Sequence, residues 1–143
     1  MMMVNNVIFE DHAELLEVWE NSVRATHNFL SEAHIEFFKP FVSQALPAIT
    51  LKCIKNKHHS ILGFIGVHAT KVEMLFVLKA ARGQGVGKAL LQYAIDHLQI
   101  NKVDVNEQNP LAVGFYQNMG FKVIARSLHD DMGKPFPILH MVL

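Results

Sequence analysis

The sequence predicts an α+β fold, a mixed and mostly antiparallel sheet of about seven strands flanked by about four helices. Two observations carry this. Short apolar or alternating runs crowd the first half of the chain as a meander, and from Arg82 onward the pattern changes to loop, helix, strand, helix, strand, strand. Strands grouped first and helix–strand units second give a sheet of mixed direction with helices on its faces. The 143 residues form a single domain, 1–143, with no repeat, low-complexity segment or linker. A chain of this length buries roughly 68% of the surface it exposes when unfolded, so it needs no disulfide or metal staple.

Taken in order, Val4–Phe9 reads as a strand, and Asp11 with Glu14 three positions on has the spacing of a capping box that starts a first helix. That helix runs to about Ala25. Leu15, Leu16, Val18, Trp19 and Val23 recur with a helical period, while Glu10, Glu14, Glu17 and Glu20 favour the other side. Ser31-Glu32 opens a second helix toward Leu46, which Pro40 is expected to break or bend, because proline has no N–H to give and crowds the preceding turn. Ala48–Ile54 and Ser60–His68 form a hairpin, and Lys71–Leu78 adds a third strand. Val86–Leu98 is helical, Lys102–Val105 extended and Pro110–Met119 helical again. The last helix is well marked: Asn109 can cap it, Pro110 suits its first turn, and Gly120 fits a left-handed stop. Phe121–Ser127 and Ile138–Val142 close the sheet.

Composition excludes several functions. Half the residues are apolar and 18% are charged, which rules out a disordered chain. Thirteen Lys and Arg balance thirteen Asp and Glu, which argues against a nucleic-acid coat. The longest apolar run, Ile61 to Val67, is far short of the roughly 20 residues that cross a bilayer. No signal-peptide core precedes Glu10, so a cytoplasmic chain without a membrane partner is expected. The neutrality conceals a division: five acids and no Lys or Arg occupy residues 1–20, whereas Lys79, Arg82, Lys88 and Lys102 face only Asp96 over residues 79–102.

The most informative stretch is Leu75-Phe76-Val77 followed by Arg82-Gly83-Gln84-Gly85-Val86-Gly87-Lys88 and an amphipathic helix. Unpaired N–H groups and the positive end of the helix dipole point at such a turn, and glycines let a phosphate approach without meeting a Cβ. A tight turn needing positive φ at Gly83 and Gly85 is the plainer alternative. A nucleoside-triphosphate loop is disfavoured, since position 82 is Arg and position 89 is Ala where that motif needs Gly and Ser/Thr. A dinucleotide fingerprint from Gly85 lacks its third glycine, because residue 90 is Leu.

The arrangement Arg82-x-x-Gly85-x-Gly87, with Asn109-Pro110 through Gly120-Phe121 after it, resembles the GNAT superfamily of acyl-coenzyme A dependent N-acetyltransferases over nearly the whole chain. Val18-Trp19, Ser22-Val23, Ala25-Thr26-His27, Asn106 to Asn109 and Gly133-Lys134-Pro135 are similar to small stand-alone bacterial members of the YjaB type. The resemblance implies that acetyl-CoA is the cosubstrate. Arg82, Gly83, Gln84, Gly85, Val86, Gly87 and Lys88 would hold its pyrophosphate, Leu75, Phe76 and Val77 its pantetheine arm, and Asn109 and Tyr116 would make further contacts. Lys79 stands where the family often has proline. An amine acceptor, small or on a peptide or protein, would be the other partner, and proteins of this fold commonly form homodimers.

Acetyl transfer from a thioester to an amine needs a neutral amine, a stabilised oxyanion and a proton for the departing thiolate. By the resemblance Tyr116 is the acid, although a place in the core stripe of its helix also explains it. Backbone N–H groups near Leu75 and Phe76 would polarise the carbonyl. Glu73 is the first candidate base, His27 the second and His68 the third. Glu17 and Glu20 could attract a cationic amine, and a solvated helix face explains them equally well. Nine histidines show no metal-ligand spacing and Cys53 has no partner thiol, so no metal is expected. The expected reaction is direct attack of a primary amine on acetyl-CoA in a ternary complex. The alternative is a catalytically idle acyl-CoA binding module.

Overall fold

Neighbouring residues of a strand face opposite sides of a sheet, and this chain uses that alternation to build two cores. The computed structural model, which describes residues 2–143, contains β1 (Val4–Asn6), α1 (His12–Thr26), α2 (Glu32–Ala45), β2 (Thr50–Lys55), β3 (Ile61–His68), β4 (Lys71–Val77), α3 (Val86–His97), β5 (Lys102–Asn106), α4 (Pro110–Asn118), β6 (Lys122–Ser127) and β7 (Ile138–Val142). On one face Cys53, Ile61 and Phe64 bury Leu15, Val18 and Trp19 of α1. On the other, Ile54, Ile65, Val103 and Met141 bury Val86, Leu90, Leu91 and Ala94 of α3.

The sheet order is β1-β2-β3-β4-β5-β7-β6. All neighbours are antiparallel except β4 and β5, which run parallel and pair only through Lys71 with Lys102 and Val72 with Val103. Beyond that level β4 and β5 diverge, and the backbone groups that β4 directs toward β5 are left free for a ligand. Along its other edge β4 stays paired to β3, but Gly66 pairs with Met74 while Val67 pairs with Val72, so Glu73 is the extra residue of a bulge. A bulge re-aims the side chain it carries, and here it turns Glu73 out of the ladder at the mouth of the split.

Four local expectations are corrected. The first strand ends at Asn6, and Phe9–Asp11 form a short turn of 3-10 helix instead of continuing it. Asp11 does not cap α1: its carboxylate accepts from the Ile8 N–H, and Glu14 reaches across to accept from the Ile61 N–H at 2.7 Å, tying α1 to β3. Pro40 does not break α2, which continues to Ala45 with Pro40 on its exposed side and Ile35 buried. The hairpin strand begins at Thr50, because Leu46–Ala48 wind into another 3-10 turn. Both ends of the last helix are as expected: the Asn109 side chain accepts from the Ala112 N–H at 3.3 Å at its start, and Gly120 adopts φ +99° beyond its last turn.

Candidate active site

A cavity of about 450 Å³ opens between β4, the turn before α3, α4 and the end of α1. The turn before α3 forms one wall. Gly83 and Gly85 adopt φ +78° and +84°, and a Cβ on either would meet no protein atom within 4 Å, so the glycines keep the turn's approach clear for something outside the protein. Gly85 begins α3 with no side-chain cap. The first N–H groups of the helix are therefore free, and with the helix dipole they form an anion-binding end. Arg82, Gly83, Gly85, Val86, Gly87 and Lys88 all line this cavity, whereas Gln84 turns back toward the Ala80 carbonyl and does not. Lys79 is exposed, and its N–H donates to Asn21 Oδ1.

Leu75, Phe76 and Val77 of β4 line it too, as do Asn109 and Tyr116. Tyr116 is 6% exposed and packs edge-on against Phe115 and Phe121. Burial raises its pKa well above the ordinary tyrosine value, so the phenol keeps its proton at neutral pH and presents the donor form.

A second cavity of about 170 Å³ lies in the split itself, walled by Val72–Phe76 of β4 and Val103–Asn106 of β5. It shares His27, Leu75, Phe76, Asn109, Ala112 and Tyr116 with the larger one. The two cavities therefore adjoin along these six residues, Tyr116 among them. Glu73 lines the smaller cavity only and is exposed. His68 lies at the end of β3, exposed and outside both.

The structure separates the candidate bases chemically as well. Burial, and then the charge of Arg82, press the His27 imidazole down to about 4, which makes it a poor acceptor of an ammonium proton. The acids of α1 are engaged elsewhere: Glu20 is paired with Lys39 and Arg24, and neither Glu17 nor Glu20 lines a cavity.

One group of residues was not anticipated. Asp104 lines the smaller cavity from β5. Its Oδ2 is 2.5 Å from Lys71 Nζ, its Oδ1 is 2.7 Å from His140 Nδ1, and His140 Nε2 is 2.6 Å from Ser127 Oγ. Burial pushes the Asp104 carboxyl up, but the Lys71 and His140 hydrogen bonds and charges outweigh it, so it sits below the ordinary range and is ionised. The available signal was alternation: in Lys102-Val-Asp-Val-Asn, Val103 and Val105 face the α3 core, which sends Asp104 to the other face. α1 packs on β3 and β4, and Phe136 from the β6–β7 connection meets Phe29 and, on α2, His34 at 5.6 and 4.9 Å.

The chain is similar to known proteins along its whole length. A family model described as an acetyltransferase (GNAT) domain matches residues 26–137. The peptidyl-lysine N-acetyltransferase YjaB of Salmonella typhimurium is 38% identical over 142 residues, covering 99% of this chain and 98% of that protein. The solution structure of apo YjaB from Escherichia coli superposes with a TM-score of 0.90 at 36% identity, covering 99% of this chain and 97% of the other. The N-acetyltransferase PaiA of Thermoplasma acidophilum, solved in complex with coenzyme A, shares the fold at 22% identity with a TM-score of 0.73, covering 100% and 99%.

Proposed function

Because the chain belongs to the GNAT acetyltransferase family and is an acetyl-CoA dependent N-acetyltransferase, we propose that its acceptor is the side-chain amine of a lysine in a peptide or protein. The amine attacks the thioester directly in a ternary complex. The observation that carries this reading is the meeting of two cavities at Tyr116, one bounded by an anion-binding helix end and the other by carboxylates. Donor and acceptor can then approach one point from two adjoining cavities, with no need for a covalent relay through the protein.

In this reading the N–H groups at the start of α3, together with Arg82 and Lys88, neutralise the pyrophosphate of acetyl-CoA. Leu75, Phe76 and Val77 take its pantetheine arm as a neighbouring strand would be taken. Free N–H groups of β4 stabilise the oxyanion, which costs no reorganisation because the strand is already held by β3. Glu73 accepts the proton that the ammonium must lose, and its exposure lets water carry the proton away. Tyr116 supplies a proton to the departing thiolate. The peptidyl-lysine activity named for the YjaB relatives supports the choice of acceptor.

The test is an acceptor panel: lysyl peptides, peptides with only an α-amine, free amino acids and polyamines, each incubated with acetyl-CoA, with thiol release and product mass followed. Acetylation at the lysine side chain is expected. Turnover confined to small amines would replace that acceptor class. Binding of acetyl-CoA without turnover of any amine would favour the idle binding module.

A further inference from the structure

Asp104 sits at the first level where β4 and β5 part, on the wall of the smaller cavity. Lys71 holds one of its oxygens and His140 the other, and Ser127 holds His140 in turn. These four residues come from β4, β5, β7 and β6, four neighbouring strands, and link across them in a row. A serine, histidine and aspartate linked in this order can activate a serine nucleophile. Here the serine end is on the outermost strand, two strands from the cavity, and the aspartate end faces it. What an acceptor meets is the carboxylate.

A carboxylate accepts up to about four hydrogen bonds, so Lys71 and His140 leave lone pairs available. Charge points the same way. Asp104 and Glu73 both line the cavity whereas Lys71 and His140, which hold Asp104 from behind, do not, so the charges that an entering cation meets on the wall are carboxylates. Held from both sides, Asp104 is oriented before the acceptor arrives.

We propose that Asp104 is the docking group for the acceptor's ammonium. It receives the –NH3+ at the mouth of the split and aligns the carbon stem, so that the nitrogen faces Tyr116 once Glu73 has taken the proton. The ligand class is a primary ammonium on a slender stem, because a cavity of about 170 Å³ admits a side chain and not a folded surface. Lys71 and His140 are positioning residues that act through Asp104. The proposal rests on the acetyl-transfer reading above and names the group that selects its acceptor.

The test measures KM for two acceptors on one peptide, the first bearing lysine and the second an aminooxy side chain of similar length that is neutral near pH 7. For the wild type, KM is expected to be about 10-fold lower for the charged acceptor, between the effects of an exposed and a buried ion pair. Asp104→Asn is expected to raise KM for lysine about 10-fold and to leave KM for the neutral acceptor and the affinity for acetyl-CoA unchanged. Asp104→Glu, which keeps the charge, is expected to recover part of the difference. Equal KM values for the two acceptors in the wild type would overturn the proposal whatever the variants do. A rise of both KM values together in Asp104→Asn would overturn it too, since the carboxylate would then only tie β4 to β5. If the wild type acetylates α-amines alone, the lysyl reading ends, and the dock is judged by the same comparison between an α-ammonium and its neutral aminooxy counterpart.

Discussion

Thr26 Oγ1 lies 2.8 Å from His27 Nδ1 while the same hydroxyl donates to the Ser22 carbonyl at 2.8 Å. With its one proton committed, the hydroxyl accepts from Nδ1–H, so His27 carries its proton on Nδ1 and leaves Nε2 as the free lone pair. Burial and the Arg82 charge keep the ring neutral, and the Arg82 guanidinium, donating to the Ser22 carbonyl at 3.4 Å, joins the end of α1 to the loop that precedes α3.

That neutrality makes stability depend on pH in a defined window. The unfolded chain binds a proton at His27 near 6.5, but the folded protein resists it until about 4. The contribution is complete above 6.5 and is lost as pH falls from 6.5 to 4, reaching roughly 2–3 kcal/mol. Urea midpoints of the wild type and His27→Gln, compared across this window, are expected to converge toward acid pH. Parallel curves would mean that His27 is not buried as a neutral ring.

Two glycines should respond to alanine with opposite signs. Gly85 has φ +84°, where a Cβ costs about 1–2 kcal/mol, so Gly85→Ala should lower Tm by several degrees and weaken acetyl-CoA. Gly114 is inside α4 with open space around an added Cβ, and Gly114→Ala should stabilise by about 0.5–1 kcal/mol. Thermal melts with and without acetyl-CoA measure both.

Gly63 is expected to matter through packing. An added Cβ would lie 2.9 Å from Val86 Cγ1 and 3.0 Å from the Phe76 carbonyl oxygen. The first is a side chain on α3 and the second is the backbone of β4 at the cavity, so the clash presses apart the two walls that would hold acetyl-CoA. Gly63→Ala should cost about 1–3 kcal/mol and weaken acetyl-CoA binding, although residue 63 lines neither cavity. A thermal-shift titration with acetyl-CoA separates the two effects.

What the sequence revealed and what it concealed follow the range of the interactions. The cap at Asn109, the stop at Gly120 and the positive φ of Gly83 and Gly85 depend on residues a few positions apart, and each was legible. Asp11 and Glu14 had the spacing of a cap, but Ile8 and a strand 47 positions on claim their carboxylates. Pro40 is tolerated because its missing N–H falls on the exposed side of a helix that Ile35 anchors. At the candidate site, the glycine turn was local and readable, whereas the bulge that turns out Glu73 exists only in the pairing of β3 with β4. Asp104, His140 and Ser127 are linked across 36 and 13 positions, and a lone aspartate between valines gives no sign of that.

The meeting of donor and acceptor at Tyr116 is tested most directly by single-turnover acetylation of a lysyl peptide by the wild type and Tyr116→Phe, both saturated with acetyl-CoA. Removing the phenolic proton donor should slow the chemical step by about 10²- to 10⁴-fold while acetyl-CoA still binds, because the substitution leaves the anion-binding turn of residues 82–88 intact. A Tyr116→Phe protein that transfers acetyl at the wild-type rate would contradict the account.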